Sequence, residues 1–180
     1  MREDRRLIQK LKRGDNDALR RLYEKYKDDL LTIATSMLHE ADTAEDVLHD
    51  VFVSFAAGIG KFELRRSLRQ YLITCTVNRV RDRFRRGKYE MIGLDRIGPV
   101  SSNEDRPEQS VMFSEESQLL TDALAEIPFE QREVIILRLQ GGMKFRQIAV
   151  AQGVPVSTVQ GRYRYGLDKL SSVMNGEVKK

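Results

Sequence analysis

The spacing of its apolar residues constrains this chain more than any other feature. From Asp17 onward, Leu19, Leu22, Tyr23, Tyr26, Leu30, Ile33, Ala34 and Met37 recur at steps of three and four. That period lines one face of an α-helix and does not match the two-residue alternation of a half-buried strand. The same spacing in Leu7, Ile8 and Leu11 predicts a shorter helix before it. A third helix is predicted from Ala44, Val47, Leu48, Val51, Phe52 and Phe55, and a fourth from Leu68, Tyr71, Leu72, Cys75, Val80 and Phe84. Asp15 or Asp17 is the expected N-cap of the long second helix. Thr43 with Asp46 three residues on predicts a capping box for the third. Gly58 and Gly60 are expected to end the third helix, and Gly87 the fourth.

A second helical block follows an interruption. Between 88 and 114, Gly93, Gly98, Pro99, Ser101, Ser102, Asn103 and Pro107 break any period, the composition of a linker. Residues 89–117 hold seven acids and two basic residues, a net of −5. Beyond it Leu119, Leu120, Ala123, Leu124 and Ile127 form a stripe that stops before Pro128, and Val134, Ile135, Leu137 and Leu139 mark the next helix. A short helix over 144–152, a turn at Gly153 and a final helix over 155–173 complete the block. The predicted fold is all-α, with two small helical domains, 1–87 and 115–180, joined by a flexible linker at 88–114. The C-terminal domain reads as a helix-turn-helix.

Composition then removes whole classes of function. No stretch nears the roughly 18 consecutive apolar residues of a membrane span. The start, Met1-Arg2-Glu3-Asp4-Arg5-Arg6, lacks the apolar run of a signal peptide, so a cytoplasmic protein is expected. The single cysteine excludes an internal disulfide framework and a Cys-based metal site. His39 and His49 stand ten apart with no Cys partner, and no Gly-rich phosphate loop or nucleophile motif occurs. Neither an enzyme nor a cofactor is expected, and Cys75, on an apolar stripe, is expected in the core.

Charge is distributed more tellingly than the net of +4 suggests. Residues 65–88 carry nine basic side chains and one acid, Asp82, for +8 in 24 positions. So dense a run suits a polyanion, because each neutralised phosphate releases counterions. Phe62, Tyr71, Phe84 and Tyr89 are interleaved with it, and aromatic faces beside Arg suit unstacked bases, although their spacing equally fits a core. Glu40, Asp42, Glu45, Asp46 and Asp50 are the reverse case, with no Lys or Arg between Asp28 and Gly60. An acidic, apolar-striped helix suits a protein partner with a basic surface. In the second block, Ala149, Gly153 and Val159 stand at offsets of +4 and +10, the small residue, tight turn and packing residue of a helix-turn-helix. Ser157, Thr158, Gln160, Arg162 and Arg164 then supply groove-facing groups.

Together these segments resemble the bacterial extracytoplasmic-function group of sigma factors, over roughly 14–170. Ala44-Glu45-Asp46-Val47-Leu48-His49-Asp50-Val51-Phe52 resembles that family's run that docks on the clamp helices of the polymerase's largest subunit. The resemblance implies polymerase binding by Glu45, Asp46, His49, Asp50 and Phe52. Leu68-Arg69-Gln70-Tyr71-Leu72 and Asn78…Asp82…Arg85-Arg86 resemble the segments that open and read the minus-ten element. Lys61, Phe62, Arg65, Arg66, Arg69, Tyr71, Asn78, Arg79, Arg81, Asp82, Arg85 and Arg86 are the residues so implied. Ile127-Pro128…Arg132-Glu133-Val134…Leu137-Arg138 and Gln147-Ile148-Ala149…Gly153-Val154-Pro155-Val156-Ser157-Thr158-Val159 resemble the region that reads the minus-thirty-five element. Lys144, Arg146, Ser157, Thr158, Gln160, Gly161, Arg162, Arg164 and Tyr165 are implied there.

The partners implied are core RNA polymerase, through its clamp helices and flap, promoter DNA and an anti-sigma factor. The linker, with its net of −5, is expected to thread the polymerase's nucleic-acid channel. The chain departs from the family pattern at Tyr71, where Trp is frequent, and at Gln160, Gly161 and Tyr165 of the recognition helix. Gln prefers adenine edges where Arg prefers guanine, so an unusual upstream element is expected. Two other readings remain open on sequence grounds. One is a free-standing helix-turn-helix regulator binding operator DNA as a dimer, which leaves the acidic and basic helices of the first block unexplained. The other is a helical adaptor with no DNA role, against which the +8 segment argues.

Overall fold

The computed structural model describes residues 2–38, 40–65, 67–94 and 115–176, without the side chains of Ala41, 86–94, 115–118 and Thr121. His39, Arg66 and the linker at 95–114 lie outside the described residues, as does the side chain of Arg86. The described chain forms eight α-helices: α1 (Arg2–Lys12), α2 (Asn16–Leu38), α3 (Ala41–Ala57), α4 (Leu68–Leu94), α5 (Glu115–Ala125), α6 (Phe129–Leu139), α7 (Phe145–Gln152) and α8 (Val156–Met174). A single 3-10 turn, Ile59–Lys61, lies between α3 and α4. No strand occurs among the described residues.

Each predicted helix is present, and the caps show where local rules sufficed. The Asp15 carboxylate accepts the N–H groups of Asp17 (3.0 Å) and Ala18 (3.3 Å), so Asp15 is the N-cap of α2. The Thr43–Asp46 capping box does not form. Helix α3 begins earlier, with Glu40 as its N-cap residue, and the Thr43 hydroxyl donates to the Glu40 carboxylate at 2.8 Å. Helix α4 runs through Gly87 to Leu94 instead of ending there. An interior glycine costs a helix about 1 kcal/mol against alanine, which neighbouring turns can absorb.

Helix α2 is the spine of the first block, with Leu22, Leu30, Ile33 and Ala34 fully buried against α1, α3 and α4. Lys25 and Tyr26 tie α1 to it, donating to the Asp4 carboxylate at 2.7 and 2.9 Å. Burial raises the Asp4 carboxyl, but these two bonds outweigh it and hold the group below its ordinary value. The Tyr26 phenol is pushed up to about 12, by burial first and by its bond to Asp4 second.

In the second block α8 crosses α6 and α7, and the helix-turn-helix closes as its spacing predicts. Gly153 is left-handed at φ 66°, Ala149 is buried and Val159 is fully buried between the helices. Three stripe residues fail to find cover: Leu119, Leu120 and Leu139 are exposed. Cys75 is half-buried, not deep in the core, and burial raises its thiol. The apolar core does not stop at the boundary between blocks. Val134, Ile136, Leu137, Met143 and Ile148 continue the cluster formed by α1–α4, and α6 packs on α2.

Candidate nucleic-acid interface

The aromatic residues interleaved with the basic run converge at one end of the first block. Phe62, in the loop after the 3-10 turn, and Tyr71, on the first turn of α4, have ring centroids 4.7 Å apart. Phe55 of α3 supports both, edge-on to Phe62 at 5.2 Å and tilted against Tyr71 at 6.1 Å. Phe55 is buried, but Tyr71 is 40% exposed and Phe62 half-buried, so two ring surfaces are presented to the outside. Partial burial pushes the Tyr71 phenol up to about 12, so it stays a neutral hydrogen-bonding group. Lys61 and Arg65 are exposed beside these rings. The arrangement forms one wall of a cleft of about 930 Å³, whose other wall carries Arg146 and Val150 of α7.

Along α4 the basic side chains have divided duties. Arg79 donates to the Ser54 hydroxyl at 2.7 Å, Arg83 pairs with Asp46 at 3.2 Å, and Arg85 pairs with Asp82 at 3.1 Å. Asn78 is exposed and accepts from Arg81 at 3.1 Å. Arg69 and Arg81 face the second block. Arg69 pairs with Asp29 at 2.7 Å and donates to the carbonyls of Gln140 and Gly141. Arg81 forms a two-bond ion pair with Glu133 of α6, which is 2% exposed. Sequence reasoning missed Glu133 as an interior charge, because its partner lies 52 residues away.

Helix α8 faces outward. Ser157, Thr158, Gln160, Arg164 and Tyr165 are all exposed on it, with Lys144 and Arg146 exposed at the start of α7. The Arg164 guanidinium lies over the Tyr165 ring at 4.9 Å and donates to its hydroxyl at 3.2 Å. Arg162 is half-buried and held back by Gln152 of α7 at 2.8 Å. Gly161 faces open space, where an added Cβ would meet only the Tyr165 ring edge at 4.0 Å. Gly166, unnoticed in the sequence, is where α8 presses on α6: a Cβ there would stand 2.9 Å from Ile135 and 3.1 Å from Gln131.

On the acidic helix α3, Glu45, Asp46, His49 and Asp50 are exposed in a row, whereas Phe52 is 5% exposed and packs edge-on against Tyr23 at 5.0 Å. His49 and Phe52 nevertheless border a groove of about 480 Å³ between α2 and α3, together with Leu19, Tyr23 and Ala56. Its rim includes Val53, 53% exposed, which the stripe analysis passed over because it lies off the buried face. No described helix is long and apolar enough to cross a membrane.

The comparisons with known proteins agree with this layout. The family model for Sigma-70 region 2 matches residues 22–89, and that for Sigma-70, region 4 matches residues 117–170. The chain is 26% identical to the ECF RNA polymerase sigma factor SigW of Bacillus subtilis, over 91% of this chain and 92% of that protein. It is 28% identical to the RNA polymerase sigma factor CnrH of Cupriavidus metallidurans, over 98% and 97%. The solved structure of CnrH in complex with the cytosolic domain of CnrY matches with a TM-score of 0.67 at 25% identity, over 98% of this chain and 99% of that one. The fold also matches, with a TM-score of 0.70 at 23% identity, the Bartonella quintana sigma factor RpoE solved with the anti-sigma factor NepR; that match covers 89% of this chain and 98% of that one. With both regions matched in order and relatives aligned over nearly the whole chain, this protein belongs to the extracytoplasmic-function group of sigma factors, built from sigma-70 regions 2 and 4.

Proposed function

We propose that this alternative sigma factor divides transcription initiation among three surfaces. The α2–α3 groove, with Glu45, His49, Asp50 and Val53 at its edge, docks on the clamp helices of core polymerase. Acidic side chains around an apolar groove suit a basic helical partner. The Phe62–Tyr71 pair, flanked by Lys61 and Arg65, captures unstacked bases of the minus-ten element. Base–aromatic stacking contributes about 1–3 kcal/mol per base, which offsets the cost of unstacking. Helix α8 enters the major groove at the minus-thirty-five element through Ser157, Thr158, Gln160 and Arg164. The protein acts in the cytoplasm and carries no chemistry of its own; polymerase supplies the catalysis.

The observation that carries this reading is the outward row on α8 together with the aromatic pair beside α4, on two matched regions in the family's order. An anti-sigma partner is supported by the two structural relatives, which were solved bound to NepR and to the cytosolic domain of CnrY. The test is in vitro transcription with bacterial core polymerase over a library of promoter sequences. Initiation that depends on this protein, from templates sharing two spaced elements, is expected. Duplex binding without any protein-dependent initiation would refute it in favour of a free-standing regulator.

A further inference from the structure

The two DNA-reading surfaces are not equally open. Arg81 lies midway along α4, on the helix assigned above to the minus-ten strand, yet its guanidinium is turned into the second block. Its Nε donates to Glu133 Oε2 at 3.0 Å, Nη2 donates to Oε1 of the same carboxylate, and Nη1 donates to the Ala151 carbonyl at 2.9 Å. One turn from the N-terminus of α4, Arg69 donates to the carbonyls of Gln140 and Gly141 at 3.0 and 2.9 Å. Between them the Gln147 amide donates to Gln70 at 2.8 Å. Further along, Phe84 stacks on Phe129 with centroids 4.4 Å apart and planes 16° from parallel. These contacts lay α6 and α7 against one side of α4 and make α7 the far wall of the cleft in front of Phe62 and Tyr71. Helix α8 makes no such commitment: Ser157, Thr158, Gln160, Arg164 and Tyr165 are exposed.

We propose that this chain closes its own single-strand-reading face with α6 and α7 while its duplex-reading helix stays open, so that it binds duplex DNA when closed and single strands only after opening. The inference rests on the assignment of α4 and α8 made above. The physics of the lock favours a reversible device. A buried ion pair gains attraction at the expense of hydrating both groups, and the two nearly cancel. Separating Arg81 from Glu133 by opening returns both to water, whereas deleting one partner leaves the closed form with an uncompensated interior charge. Phosphates compete directly for Arg69 and Arg81, so a single strand and the second block exclude one another on α4.

The test uses the full chain and two probes: a fluorescein-labelled pool of random 20-base single strands, and the same pool made duplex. Binding is read by anisotropy at low salt. Glu133→Gln removes the acceptor charge. Phe129→Ala removes the stack without changing charge, and so controls for a general gain in attraction to DNA. Circular dichroism verifies that each variant remains helical. Both variants are expected to tighten single-strand binding at least tenfold and to leave duplex binding within twofold. In small-angle scattering the parent should have the radius of gyration of a compact chain, about 16 Å, and the variants a larger one. Unchanged single-strand affinity in folded variants would overturn the proposal, as would an equal gain for both probes. Arg164→Ala separates this from the underlying assignment: if it does not weaken duplex binding, the reading of α8 is what fails.

Discussion

Helix α8 contains two glycines five positions apart, and the same substitution at each should act in opposite directions. At Gly161 an added methyl meets nothing nearer than 4.0 Å, so Gly161→Ala feels only helix propensity and should stabilise by about 1 kcal/mol. At Gly166 the methyl would stand 2.9 Å from the Ile135 Cδ1 and 3.1 Å from the Gln131 Cβ. The Ile135 methyl is the far end of a flexible side chain and can turn away. The Gln131 Cβ is fixed to the α6 backbone, so relief there requires α8 to move off α6. Overpacking of this kind costs about 1–3 kcal/mol, from which the same gain of about 1 kcal/mol is subtracted, leaving a net loss of up to about 2 kcal/mol. Thermal unfolding followed by circular dichroism should therefore show the two variants displaced in opposite directions, each by about 4 °C per kcal/mol. If Gly166→Ala raised the melting temperature as much as Gly161→Ala, the close crossing of α8 on α6 would be wrong. The orientation assigned to the recognition helix would fall with it.

Three further outcomes are expected. Phe62→Ala should slow opening of a promoter by roughly tenfold, corresponding to about 1.4 kcal/mol of lost stacking, and leave duplex binding unchanged; equal loss on a pre-melted template and on a duplex would argue against a base-capturing role. Gln160→Arg should move the preference at one upstream base pair from adenine toward guanine by about 1–3 kcal/mol, read by selection from a randomised upstream element, and an unaltered consensus would remove Gln160 from the interface. Acid should loosen α1 before the rest of the chain. The folded Asp4 carboxyl is held below its ordinary value by Lys25 and Tyr26, so its contribution is present above about pH 4 and is lost as pH falls through the folded value. Amide exchange in α1 should rise along that limb in the parent and be flat in Asp4→Asn.

Much of the architecture was legible because helix formation is local. A period of 3.6 residues puts Leu22, Tyr26, Leu30 and Ile33 on one line whatever they pack against, and all four are buried. The left-handed Gly153 between Ala149 and Val159 is likewise a short-range arrangement, readable at fixed offsets. Where short-range rules erred, a neighbour in space had intervened. Thr43 found Glu40 instead of serving as a cap, and Phe84 of α4 is covered by Phe129, far along the chain. Leu119 and Leu139 lie on stripes as regular as any other, but no element packs over them.

The amino-acid sequence by itself determined the helices, the turn of the helix-turn-helix and the opposition of an acidic α3 to a basic α4. Periodicity and charge are properties of a segment and need no partner. Only the tertiary structure decided which charges remain available. Arg65 and Arg81 are equivalent members of one basic run, yet Arg65 is exposed and Arg81 is spent on Glu133. A guanidinium's role depends on what lies within hydrogen-bond reach, and for Arg81 that group arrives 52 residues later, on a helix of the other domain.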